Sequence, residues 1–290
     1  MKKTLIALAA LASTAAFAQS VTLSGNMGYG VSQVGTGTAA LGLTDGGFTF
    51  AATEDLGGGM KVSASQSVAV KGHDNAAKAD GGFLAISGGF GELKVGQACA
   101  GKALGEGNLG GAYGLAHAFG NGTDCSANWQ YGLYTLPTMV QGLTVAARIS
   151  KTAGDISVEG FSAAENSAQL RLAYANGPLS AAYYVRSNTG EIHASYDLGV
   201  AKVSFGMDTK TSTATNERTE VGVSVPMGAT TFSLGYGKQK DTNIKGTQVG
   251  VKYALSKRTS IDAVYGSFTN ALNGSAAVKD ASRVRLLHTF

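Results

Sequence analysis

The sequence predicts an all-β chain, a closed antiparallel β-barrel of sixteen strands that crosses a membrane with those strands. Three observations predict it. Apolar and polar residues alternate with period two from one end of the chain to the other. The connections between the alternating segments are of two kinds, short and long, and the two kinds take turns. The chain also holds 42 glycines with only 3 prolines, a pairing unlike that of disordered or collagen-like chains, which are rich in both.

At the N-terminus Lys2 and Lys3 precede an apolar stretch from Leu5 to Ala12, and Ala16-Phe17-Ala18 offers the small residues a signal peptidase binds. Residues 1–18 therefore read as a signal peptide cleaved after Ala18, and 19–290 as a single barrel domain starting at Gln19. The apolar stretch is too short to cross about 30 Å of hydrocarbon as a helix, and polar Ser13 and Thr14 follow it. Further on there is no run of eighteen apolar residues, which excludes a helical inner-membrane protein. Losing Lys2 and Lys3 takes the formal charge from +4 to +2. That bias is too small to suggest a nucleic-acid partner.

The alternation is clear in the first segment, where Val21, Leu23, Met27, Tyr29 and Val31 share one parity and Thr22, Ser24, Asn26, Gly28, Gly30 and Ser32 the other. It recurs at Leu143, Val145, Ala147 and Ile149 against Thr144, Arg148 and Ser150. Short connections carry Gly or Pro, as at Glu54 to Gly59, Gly88 to Gly91, Pro137 to Gly142, Asn176 to Pro178 and Pro226 to Gly228. All three prolines, Pro137, Pro178 and Pro226, are expected in such turns, because Pro removes a ladder donor. Longer polar connections are read near 35–46, 71–81, 98–126, 151–166, 188–190, 210–219, 239–246 and 269–282. Seven turns and eight loops demand sixteen strands, and an even count brings both termini to the side of the short turns.

In lipid a sheet cannot leave an edge of unpaired N–H and C=O groups, each costing several kcal/mol, so the sheet must close. Apolar residues then face lipid and polar ones face an aqueous interior. Tyr29, Trp129, Tyr131, Tyr174, Tyr183, Tyr196, Phe205, Tyr236, Tyr253, Tyr265 and Phe290 are read on the outward parity, as an aromatic girdle.

Parity also assigns the interior. Lys61, Lys94, Arg148, Arg171, Arg186, Lys202, Lys210, Lys252, Arg283 and Arg285 are expected to point inward, against Glu92, Asp197, Asp208, Glu220 and Asp262. Ten cations against five anions, in water bounded by low-dielectric walls, predict a channel for small ions and solutes with a mild preference for anions. Salt should weaken it beyond a Debye length of about 8–10 Å. Loop 98–126, glycine-rich and the longest, is the candidate constriction, with Lys102, Glu106 and His117 as candidate lining. Cys99 and Cys125 bracket it, and an oxidising periplasm favours a disulfide between them. Such a bridge adds roughly 3.5 kcal/mol in the chain-entropy model.

Neither a catalytic nor a metal site emerges, and no cofactor is called for. The histidines are His73, His117, His193 and His288, and none sits in a Gly-x-Ser-x-Gly or His-Glu-x-x-His setting. His193, Ser195 and Asp197 share one strand face but are spread along about 13 Å, too far for a triad. A structural barrel with a plugged lumen would need bulky apolar inward residues, whereas the inward positions are mostly Gly, Ser, Thr or charged.

Three stretches carry a family resemblance: Phe48 to Gly59 with its Glu54-Asp55-Leu56-Gly57 turn, Gly88 to Gln97, and the C-terminal Arg283 to Phe290 with its His288-Thr289-Phe290 ending. The sequence resembles the general trimeric porins of Gram-negative bacteria, of the beta-proteobacterial and neisserial type, over essentially the whole mature chain. The resemblance implies a homotrimer in the outer membrane, among lipid and lipopolysaccharide, with the third loop folded into the lumen. It also implies that Phe290 is read by the barrel-assembly machinery. His288 shares the parity of Phe290 and is expected at the lipid or subunit interface. The chain departs from the family at Gly47, Ala51 and Gln97, where basic residues are common, and its third loop lacks the usual acidic cluster.

Overall fold

The computed structural model describes residues 20–70, 78–99, 128–152, 167–186, 189–210, 218–239, 245–269 and 280–290. β1 (Ser20–Val34), β2 (Ala40–Gly57), β3 (Met60–Ala69) and β4 (Lys78–Gly88) open the chain. β5 (Gly91–Cys99), β6 (Asn128–Thr135), β7 (Leu143–Thr152) and β8 (Ser167–Asn176) follow. β9 (Leu179–Arg186), β10 (Thr189–Asp197), β11 (Lys202–Lys210) and β12 (Arg218–Met227) come next. β13 (Thr230–Gln239), β14 (Lys245–Ala254), β15 (Thr259–Phe268) and β16 (Asp280–Thr289) close it. Each strand pairs antiparallel with its neighbours in sequence, and β16 returns to β1. The sixteen strands and the closed sheet that the sequence predicts are what the chain forms, and no helix occurs among the described residues.

Closure requires the strands to tilt, and the register shows the stagger. The row of lateral partners Ser195, Ser204, Gly222, Gly235, Gln248, Gly266 and Ala281 starts near the short-turn end of β10 and finishes near the loop end of β16. A perpendicular path across the strands therefore climbs the barrel. The turns that set this register rely on glycine: Gly58 and Gly59 sit at φ +62° and +79° between β2 and β3, a backbone region that L side chains rarely adopt.

The two wall faces differ as lipid and water demand. Along β14, Thr247, Val249 and Val251 are exposed while Gly246, Gln248 and Gly250 are buried. Around the barrel the exposed large residues are Val, Leu, Ile and aromatics, whereas the most enclosed side chains are Arg148, Gln248 and Asp262. A soluble barrel sorts its side chains the other way round. Tyr29, Tyr183, Tyr196, Phe205, Tyr236, Tyr253, Tyr265 and Phe290 stand on the outer face.

Tyr131 does not join this girdle, contrary to the sequence reading. It is paired with Gly96 and Ser150 on the inward parity, where it is buried. Gln130, Gly132 and Tyr134 take the outside of β6, and the side chain of Trp129 lies outside the described ones. The loop expected over 35–46 is also shorter, because β2 begins at Ala40. A bulge between β1 and β2 leaves Thr44 without a register partner and sets Asp45 opposite inward-facing Gly28.

Candidate functional site: the lumen wall

The inward residues of β6 to β10 build an aromatic shelf beneath two arginines. Tyr131, Leu133, Ala146 and Tyr184 form a buried cluster, with Phe83 and Ala182 packed on it. The Arg148 guanidinium lies 5.6 Å from the Tyr131 ring centre, and that of Arg171 lies 5.6 Å from Tyr184. A guanidinium gains from a ring face in this way without being neutralised. Arg148 is only 2% exposed, and the Nε atoms of Arg148 and Arg171 have no hydrogen-bond partner among the described residues.

Register fixes where these arginines stand. Arg148 opposes Gln169, so Arg171 lies one strand over and two residues toward the short turns. That is about 5 Å across and about 7 Å along the sheet. The backbone of Arg186 pairs with Gln169, and its side chain lies outside the described ones.

Several described cations elsewhere on the wall stand beside anions. Arg285 Nε donates to both oxygens of Asp262, at 2.9 and 3.0 Å, and its Nη1 donates to Asp45. Arg283 Nη2 lies 3.8 Å from Asp262. Lys94 sits 2.9 Å from Glu92, with its ammonium 4.5 Å above the Phe83 ring. Lys252 is exposed opposite Asp262, Lys61 is exposed opposite Asp55, and Lys202 faces Asp197.

The ratio of ten cations to five anions is therefore corrected. Asp45, Asp55 and Glu191 also lie on the inward parity. The sequence alone assigns Asp45 to a loop. The signal for Tyr131 was its neighbours, since both flanking strands bring cations, Lys94 and Arg148, to the inner face opposite Leu133.

At the seam, Phe290 exchanges both backbone hydrogen bonds with Gly25, at 2.9 and 3.0 Å. A Cβ on Gly25 would come within 2.7 Å of the Phe290 ring and 2.5 Å of the Gly47 carbonyl oxygen. His288 stacks on Phe290 with ring centres 6.4 Å apart and meets the Thr259 hydroxyl through Nδ1 at 2.9 Å. Lys102, Glu106, His117 and Cys125 lie outside the described residues, and so does the side chain of Cys99 at the end of β5. His193 bonds Glu191 at 3.4 Å rather than any serine or Asp197. Among the described residues no group of His, Cys, Asp and Glu is arranged to hold a metal ion.

A closed sixteen-strand barrel with an apolar outer wall and a charged, polar inner one is a pore-forming protein of the outer membrane. The chain belongs to the Gram-negative porin family, whose model matches residues 4–272. A search of curated protein sequences finds no significant match. Among solved structures, the anion-selective porin from Comamonas acidovorans is 21% identical with a TM-score of 0.69, the match covering 94% of this chain and 100% of that one. OmpT of Vibrio cholerae, in its trimer form, is 13% identical at a TM-score of 0.68, covering 94% and 100%. A mutant of the Rh. blastica porin is 12% identical at 0.68, covering 93% and 100%. Likeness at these identities is likeness of fold. The protein is an outer-membrane porin, a water-filled channel for passive diffusion of small hydrophilic solutes and ions.

Proposed function

We propose that this channel prefers anions mildly, works as a homotrimer and performs no catalysis. The observation that carries the preference is Arg148: almost wholly enclosed, seated on Tyr131, and with no carboxylate pairing with it among the described residues. Arg171 repeats the arrangement on Tyr184. Arg283, Arg285 and Lys94 contribute less, because Asp262, Asp45 and Glu92 hold them. The Comamonas porin, which shares this fold and is anion-selective, supports the same direction. A residual lumen potential of about half a kT enriches anions over cations roughly threefold.

The test is the reversal potential of the reconstituted protein under a KCl gradient. Chloride preference in the wild type, reduced by Arg148→Gln, supports the reading. A cation preference, or no change in the variant, overturns it.

The trimer reading draws support from OmpT, a barrel of the same fold with a trimer form. Export through cleavage after Ala18, recognition of Phe290 by the assembly machinery, and constriction by loop 98–126 complete the proposal. Against an enzyme stands the placement of His193, whose partners Glu191 and Tyr184 leave it no nucleophile to activate.

A further inference from the structure

We infer that the lumen wall across β8 to β12 carries a docking recess for a short hydroxylated carboxylate, a sugar acid, through which the channel favours such solutes over other anions of equal charge. The inference rests on the anion-preferring reading above and names the solute class that this wall would hold.

The recess has a volume of about 570 Å³ and is lined by Arg171, Ala173, Ala182, His193, Ser195 and Lys202, among others. It exists because neighbouring inward positions here are small. Ala173 pairs with Ala182, and the next row runs Ala175, Ser180, Ser195, Ser204 and Gly222. Those five positions span four strand spacings, about 19 Å of wall without a large side chain. Elsewhere the inner face carries Tyr131, Arg148 or the Arg285 cluster.

Its chemistry is divided. Arg171 stands at one end, its guanidinium 5.6 Å from the Tyr184 ring centre, with a buried Nε that meets no partner among the described residues. A planar guanidinium suits a carboxylate, which it can bind through two donors. Lys202 stands at the other end, exposed. Between them Ser180 and Ser195 present hydroxyls, Ser224 stands beyond Lys202 on β12, and the hydroxyl of Ser204 bonds the Gly222 carbonyl at 3.3 Å. Of the nearby carboxylates, Glu191 faces His193 at 3.4 Å, and Asp197, opposite Lys202, accepts the Gly199 N–H through Oδ1 at 2.8 Å, so Arg171 is the cation of the recess with no carboxylate opposite it. A solute carrying one carboxylate and several hydroxyls meets both halves. A plain fatty carboxylate leaves the hydroxyls without a partner, and a neutral polyol leaves the arginine without one.

Gluconate, hexanoate and sorbitol, added separately to the reconstituted protein while its KCl current is recorded, test this. Gluconate should interrupt the current at a concentration about tenfold lower than either of the others, since two or three hydrogen bonds distinguish them. Arg171→Gln should raise the half-blocking concentration of gluconate about tenfold. Ser180→Val with Ser195→Val should bring gluconate and hexanoate together. Equal potency of gluconate and hexanoate in the wild type overturns the inference without any variant, and sorbitol as potent as gluconate overturns its charged half. If equal potency accompanies chloride preference in a KCl gradient, the recess alone falls. If chloride preference is missing too, the reading beneath it falls as well.

Discussion

Asp262→Asn probes the lumen's charge balance. Asp262 is 1% exposed and is shared by Arg283 and Arg285, while Asp45 holds Arg285 from the other side. The variant keeps the volume and removes one negative charge, so that the cluster of two arginines and two aspartates becomes net positive by one. In water, a unit charge about 8 Å from the pore axis acts on a passing ion with about 0.5 kcal/mol, just under one kT. Screening at 0.15 M, where the Debye length is about 8 Å, leaves about a third of that. The effect has opposite sign for anions and cations, so the chloride-to-potassium permeability ratio should rise about twofold. The assay is the reversal potential under a KCl gradient, repeated at 1 M salt, where the shift should nearly vanish. An unchanged ratio, or one shifted toward potassium, would refute the assignment of this cluster to the conducting lumen. Loss of the paired carboxylate should also destabilise the barrel by about 1–3 kcal/mol, read from its thermal unfolding in detergent.

Lys94→Gln should move the reversal potential less than Arg148→Gln does, because Glu92 already offsets Lys94; equal shifts would contradict the ranking. Gly25→Val should slow or prevent formation of the heat-modifiable barrel on SDS gels, since the new side chain would strike the Phe290 ring and the Gly47 carbonyl. Phe290→Ala should impair assembly in cells, and wild-type folding kinetics in both variants would remove the seam from the account. Val249→Arg, on the outer face of β14, should cost roughly 2–4 kcal/mol in lipid. Lys252→Val on its inner face should cost far less, and urea titration in vesicles compares the two.

The fold was legible because its environment writes itself into the chain. With lipid on one side of a single-layer sheet and water on the other, Val21 to Val31 and Leu143 to Ile149 had to alternate, and Gly58 or Gly177 had to mark the turns. Inward placement of Lys94, Arg148, Arg171, Arg283 and Arg285 followed from the same period. The failures came where period two breaks or where residue type misleads. A single bulge at Thr44 reverses the parity of what precedes it and delivers Asp45 to Arg285, and no local sequence signal marks it. Tyr131 looked like a girdle residue because aromatics suit the lipid interface, yet a ring face serves an arginine in the lumen equally well. The balance of the wall was misjudged too: Asp45 and Asp55, read in a loop and a turn, become inward residues through register with neighbours far away in the chain, and Glu191, which shares the parity of Asp197, was left out of the count.

Single cysteines placed in turn at Gln248, Val249, Gly250, Val251 and Lys252, in a background with Cys99 and Cys125 replaced by serine, give the most direct trial. Reaction with a water-borne maleimide that passes the channel should succeed at 248, 250 and 252, and quenching by a lipid-dissolved probe should succeed at 249 and 251. Reactivity that runs unbroken along the strand, or follows a period other than two, would contradict a wall with water on one face and hydrocarbon on the other.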